Sequence, residues 1–148
     1  MQGIEGDLPA KTSVLVIGGG PAGSTAATLL AREGIGVTLC ERDRFPRYHI
    51  GESMLPGVVP LLRFLGVFDE IDRSMVRKHG AWFKIKADIP PGVIEWKDIS
   101  DSPYAWNVDR AKFDSILLAH AERSGAIEIC IKNAIIGTEA CTYAQTEG

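Results

Sequence analysis

The sequence predicts an α/β protein, with a parallel sheet opened by a strand–helix–strand unit and additional antiparallel strands after it. Three observations carry this. A short run of β-branched and aliphatic residues, Ser13–Ile17, stops at three glycines. A helix rich in small residues follows, and a second apolar run, Gly36–Glu41, returns within the roughly 30 residues that a βαβ unit needs. Further on, short alternating segments are separated by turn residues, the pattern of antiparallel strands.

Taken in order, residues 1–11, MQGIEGDLPAK, read as a flexible tail. They lack the basic stretch and apolar core of a secretory signal. Residues 12–148 read as one domain. Ser13–Ile17 suits a fully buried parallel strand. Pro21 sits where a helix can begin, because the first turn needs no amide donor from it. "AGSTAATLLARE" continues that helix, and Gly34 can end it in a left-handed conformation. Gly36–Glu41 is the second strand, and Arg42–Gly51 a polar loop. Ser53–Phe68 is helical in places, with Pro56 and Pro60 breaking it or setting first turns. "GAWFKIKA" alternates as a strand, and "VIEW" and "YAWNV" are strand candidates around "DIPPG" and "SDSP". "DRAKFDSILLAHAERSGA" is an amphipathic helix with Phe113, Ile116, Leu117 and Ala121 on one face and Gly125 at its end. "IEICI" is the next strand, after which the pattern weakens into "GTEACTYAQTEG".

Composition narrows the function. The net charge of −3 gives no electrostatic case for nucleic acid or an anionic membrane. No apolar run reaches membrane-spanning length. Cys40, Cys130 and Cys141 stand far apart, which argues against a disulfide frame or a zinc site and for a reducing cytoplasm. Cys40 reads as a small core residue. His49 and His79 have no carboxylate or cysteine at ligand spacing, so no metal site is expected, and His120 reads as packed. Trp82, Trp96 and Trp106 suit strands or a core.

Chemistry enters with Gly18-Gly19-Gly20-Pro21-Ala22-Gly23, a G-x-G-x-x-G run between a predicted strand and a predicted helix. Gly18 permits the tight turn, Gly20 lets the backbone approach a diphosphate, and Gly23 lets helix and strand pack closely. The helix start points amides and partial positive charge at the phosphates. Glu41, at the tip of the next strand, is placed to accept hydrogen bonds from ribose hydroxyls. The run alone does not separate NAD from FAD.

The stretch "IGGGPAGSTAATLLAREGIGVTLCERDRFPRYHIGESMLPGVVPLLRFLGVFDEI" resembles the start of FAD-dependent halogenases, above all fungal ones that chlorinate phenolic products. More broadly it is similar to flavin monooxygenases and geranylgeranyl-reductase-like proteins. "NVDRAKFDSILLAHAERSGA" resembles a helix whose arginine reaches the cofactor. The resemblance implies a Rossmann-like FAD-binding fold and a flavin-dependent oxidoreductase. It implies FAD contacts at Gly19 and Ala22, at Glu52 in the G-E-S segment, and at Arg110. Read from the residues alone, Glu52 is equally available as a cap for a helix starting near Ser53. Arg110 at a helix start opposes the helix dipole and so wants a partner. Arg42 and Arg47 either touch the adenine side or are solvated.

The resemblance also implies that Lys78, in a K-x-G-A setting, lies between flavin and substrate and handles the chlorinating species. Sequence alone does not choose between Arg77 and Lys78. The reaction implied uses FADH2 delivered by a transient flavin reductase, oxygen and chloride, on an electron-rich aromatic substrate. The alternatives are an aromatic hydroxylase or geranylgeranyl-reductase-like enzyme, or a non-catalytic FAD-binding remnant. The family's later G-D segment and its W-x-W-x-I-P signature are not found here, so the resemblance implies a truncated, partial FAD-binding domain, whose activity as an enzyme is left open.

Overall fold

The computed structural model describes residues 11–130. The expected tail over residues 1–10, Cys141 and the closing "GTEACTYAQTEG" lie outside the described residues. The described chain forms two compact units, residues 11–47 with 118–130, and Tyr48–Leu117.

The first unit is built on a parallel sheet in the order β1 (Val14–Ile17), β2 (Val37–Glu41), β7 (Ile127–Cys130), with Val14 opposite Val37 and Thr38 opposite Ile127. Helix α1, Pro21–Arg32, connects β1 to β2, with Pro21 in its first turn as the sequence predicts. Gly34 follows it at φ +74°, a conformation in which a side chain is strained. Ala27, Val37, Leu39, Leu118, Ala121 and Ala126 make the core. Cys40 is buried with them, and burial pushes its thiol pKa up.

One expectation fails here. β2, the middle strand, is buried along its whole length, whereas β1 leaves Leu15 36% and Ile17 49% exposed. Among the described residues β1 pairs with β2 alone, so it is an edge strand, and it covers only alternate side chains.

The second unit has two antiparallel pairs. β3 (Val76–Lys78) pairs with β6 (Ala105–Asn107), Arg77 opposite Trp106 and Lys78 opposite Ala105. β4 (Gly80–Phe83) pairs with β5 (Gly92–Glu95), which runs straight into the four-residue helix α4, Trp96–Ile99. The segment read as partly helical over 53–68 resolves into α2, Val58–Leu65, with Pro60 in its first turn, and α3, Phe68–Ser74. The long helix α5, Arg110–Arg123, buries Phe113, Ile116, Leu117 and Ala121, and Gly125 turns the chain at φ +105°.

Three other expectations change. Lys78 ends a strand that the sequence did not show, because three residues are too short for periodicity to declare. "GAWFKIKA" is strand only through Phe83. The tryptophans are in strands or a core as expected: Trp82 lies in β4, and Trp96 and Trp106 are buried. His120 is not simply packed: its ring Nε2 lies 2.8 Å from the Arg32 guanidinium.

Candidate functional site

In the first unit the glycine loop is tied down from both sides. The Gly19 amide donates to Glu41 Oε2 at 2.6 Å, and the Gly19 carbonyl accepts from Ser24 Oγ at 2.8 Å. The second Glu41 oxygen accepts from the Asp43 amide at 2.9 Å. Glu41 is only 7% exposed, so these bonds hold a carboxylate inside the fold at the tip of β2.

Each glycine is needed for a different physical reason. Gly18 sits at φ +102°. A Cβ on Gly23 would lie 1.8 Å from the Gly18 carbonyl oxygen, so α1 crosses β1 at a distance no side chain permits. A Cβ on Gly19 would press the Glu41 side chain at 3.2 Å. Gly20 caps α1 with no side-chain hydrogen bond, and the first turn carries no acidic residue. Uncapped amides, partial positive charge and an open backbone fit a diphosphate. Ala22 lies in that turn, exposed.

The two arginines separate clearly. Arg42 is 69% exposed and meets only Asp43, at 3.4 Å. Arg47 is 13% exposed, stacks on Phe45 with 4.7 Å to the ring centroid, and reaches within 3.9 Å of Glu41. Its guanidinium also lies 3.4 Å from the place a Gly20 Cβ would take. Sequence reasoning set adenine contact against solvation for both arginines, named Arg42 rather than Arg47 among the cofactor contacts, and missed Ser24. The signal for Ser24 was its position four residues after Gly20, one turn into the helix.

In the second unit Arg110 finds the partner its position demanded. It makes a bidentate pair with buried Asp114, at 2.8 and 3.0 Å, and donates to the Ile50 and Gly51 carbonyls at 2.6 and 3.3 Å. The structure thus joins two sequence-predicted elements, Arg110 and the G-E-S stretch. Gly51 sits at φ +104°, and a Cβ there would stand 3.0 Å from the guanidinium. The Val108 amide closes the turn on the Glu52 carbonyl at 2.7 Å. Glu52 caps no helix: it is exposed, and α2 starts at Val58 behind Gly57. Residues 53–54 instead lie along β6, with Ser53 bridged to Asn107 and the Met54 amide on the Trp106 carbonyl at 2.9 Å.

Arg77 and Lys78, between which the sequence does not choose, differ in their neighbours. Arg77 makes a bidentate pair with Asp72, which also accepts from Trp106 Nε1 at 3.1 Å. That hydrogen bond from Arg77 holds the Asp72 carboxyl below the usual carboxylate range. Lys78, pointing to the other face of the strand, meets no carboxylate among the described residues. Its Nζ donates to Ser53 Oγ at 2.5 Å and lies 5.3 Å from the Trp96 ring centroid. Burial lowers its pKa from the ordinary lysine value.

Comparison with known proteins shows the family. The family model described as FAD binding domain matches residues 11–144. The flavin-dependent halogenase ptaM of Pestalotiopsis fici is 48% identical over 120 residues, 80% of this chain and 22% of the relative. The flavin-dependent halogenase armH3 of Armillaria mellea is 47% identical over 123 residues, 82% of this chain and 24% of the relative. Among solved structures, the myxobacterial chondrochloren halogenase CndH superposes with a TM-score of 0.73 at 40% identity, over 79% of this chain and 28% of that one. The chain therefore spans less than a quarter of the length of these two curated relatives. Among the described residues no helix is long and apolar enough to cross a membrane.

Proposed function

The chain belongs to the FAD binding domain family, and on that premise we propose that it serves a flavin-dependent halogenation, in which Lys78 carries a chlorinating equivalent to an electron-rich, phenolic ring. FAD is its cofactor. Gly18, Gly19, Gly20, Ala22 and Gly23 would hold the diphosphate at the start of α1. Glu41 would take the ribose hydroxyls, and Arg47 lies close enough to Gly20 to steady the phosphate charge, a better candidate than the exposed Arg42. Glu52 and Arg110 would shape the loop on which the rest of the cofactor lies. Bound and reduced, FAD would supply two of the four electrons that take dioxygen to hypochlorous acid and water, chloride giving the other two.

The observation that carries the reading is Lys78 itself. A partly desolvated ammonium with no counter-ion among the described residues costs free energy, and stability gives no reason to keep it. A hydroxyl and an aromatic face beside it leave its remaining N–H bonds for an incoming group. As an ammonium it donates a hydrogen bond to the oxygen of hypochlorous acid. As the amine that its lowered pKa favours, Nζ takes chlorine from hypochlorous acid as the O–Cl bond breaks, its N–H proton leaving with the hydroxide as water; the N–Cl bond then passes chlorine to the ring, whose displaced proton returns to the nitrogen. The reduced cofactor would come from a separate flavin reductase.

Two measurements test this. Titrating FAD into the purified chain, followed by flavin fluorescence, is expected to give a saturable complex that Glu41→Ala weakens. Incubation with chemically reduced FAD, oxygen, chloride and a phenol is expected to yield a chlorinated product, read by mass spectrometry, that Lys78→Met abolishes without changing cofactor oxidation. A saturable complex whose chlorination survives Lys78→Met would overturn the assignment of Lys78. Hydroxylated product driven by NADPH alone would favour the hydroxylase reading.

A further inference from the structure

We propose that Trp96 is the positioning residue for Lys78, and that Gly80 in the K-x-G-A segment exists to bring it there. The ammonium lies against the Trp96 ring, 5.3 Å from its centroid, and that ring is only 3% exposed. Trp is the strongest of the aromatic faces for a cation, the more so where water is excluded.

The backbone shows how the contact is made. The Trp96 amide donates to the His79 carbonyl at 2.8 Å, so the tryptophan is fastened to the residue next to Lys78. One step further, Gly80 faces Glu95 across the β4–β5 pair. A Cβ at Gly80 would fall 2.3 Å from the Ile94 carbonyl oxygen, a backbone atom that cannot swing away. Only glycine lets β5 close to this distance, and α4 begins with Trp96 as β5 ends. Ser53 Oγ completes a second point of support at 2.5 Å, itself fixed by the bridge to Asn107.

A core role does not explain the choice of tryptophan. Its Nε1–H is buried with no hydrogen-bond partner among the described residues, an arrangement that costs stability. Leucine would fill the space without that cost. What the indole adds is its face, the strongest of the aromatic ones for a cation.

The inference deepens the Lys78 reading and is read at the amine rather than in turnover, so the two fail separately. The full chain is labelled with 13C-lysine and the Lys78 ε-methylene is assigned by its loss in Lys78→Arg. In the wild type it is expected upfield of the exposed lysines Lys84 and Lys97, because protons over a ring face are shielded. Trp96→Phe keeps most of the shift. Trp96→Leu removes it, and so does Gly80→Ala, with Trp96 itself in place. A wild-type resonance among those of the exposed lysines overturns the proposal, as does an unchanged shift in Trp96→Leu. Should that variant unfold, the wild type and Trp96→Phe decide.

Discussion

The glycine loop of the first unit and the lysine strand of the second handle charge in opposite ways. Around Glu41 each carboxylate oxygen has an amide donor and an arginine stands near, so the group is neutralised and fixed before any ligand arrives. Around Lys78 the positive charge meets a hydroxyl and a ring and, among the described residues, no acid. Its neighbour Arg77 shows that the second unit can pair a cation when it needs one. On the proposed reading, the satisfied charge builds a cradle, while the unsatisfied one is kept for a reacting partner.

The contrast can be broken most severely at Gly23. Gly23→Val would force a side chain into the Gly18 carbonyl, and a loss of about 3 kcal/mol or more is expected, with FAD binding lost, by chemical denaturation and flavin titration. Glu41→Ala strips the Gly19 and Asp43 amides of their acceptor. A loss of about 1–3 kcal/mol is expected by the same denaturation.

Asp72→Asn probes the paired cation of the second unit. Arg77 is half exposed, so the loss should be about 1 kcal/mol or less. It should also depend on pH. The folded-state pKa of Asp72 is depressed, so its contribution is present above the unfolded carboxylate pKa and fades as pH falls through the folded one. The difference between wild type and variant should therefore shrink in acid.

Lys78→Met should have the smallest effect, within about 0.5 kcal/mol of wild type and on the stabilising side. Arg77→Met, one residue away, should cost more because it leaves Asp72 behind. The wild-type pKa of Lys78 is depressed, so the native state gives up its proton first as pH rises towards the free-lysine value, and stability rises in that window. Denaturant midpoints measured across the alkaline range should show that rise in wild type and not in Lys78→Met.

These two regions were also unequally legible in the sequence. The strand–helix–strand opening, the turn at Gly34 and the placement of Glu41 follow from local spacing, because each glycine answers a constraint set within a few residues. The fate of Arg77 and Lys78 does not. It depends on Asp72 in α3, on Ser53 and on Trp96, which only the folded unit brings together. Glu52 misled for the same reason: Gly-Glu-Ser looks like a helix start, yet that stretch lies on β6 and the helix waits until Val58. The exposed edge of β1 was hidden because an apolar run reads the same whether one face or two are covered.

The three-residue length of β3 carries a consequence for sequence change. Side chains alternate across a strand, so inserting one residue between Ser74 and Arg77 would present the guanidinium where the amine now stands. An arginine, always protonated, cannot shuttle a halogen on nitrogen as an amine can. An insertion here therefore transposes the two cations, and on the proposed role of Lys78 it would end that role in one step.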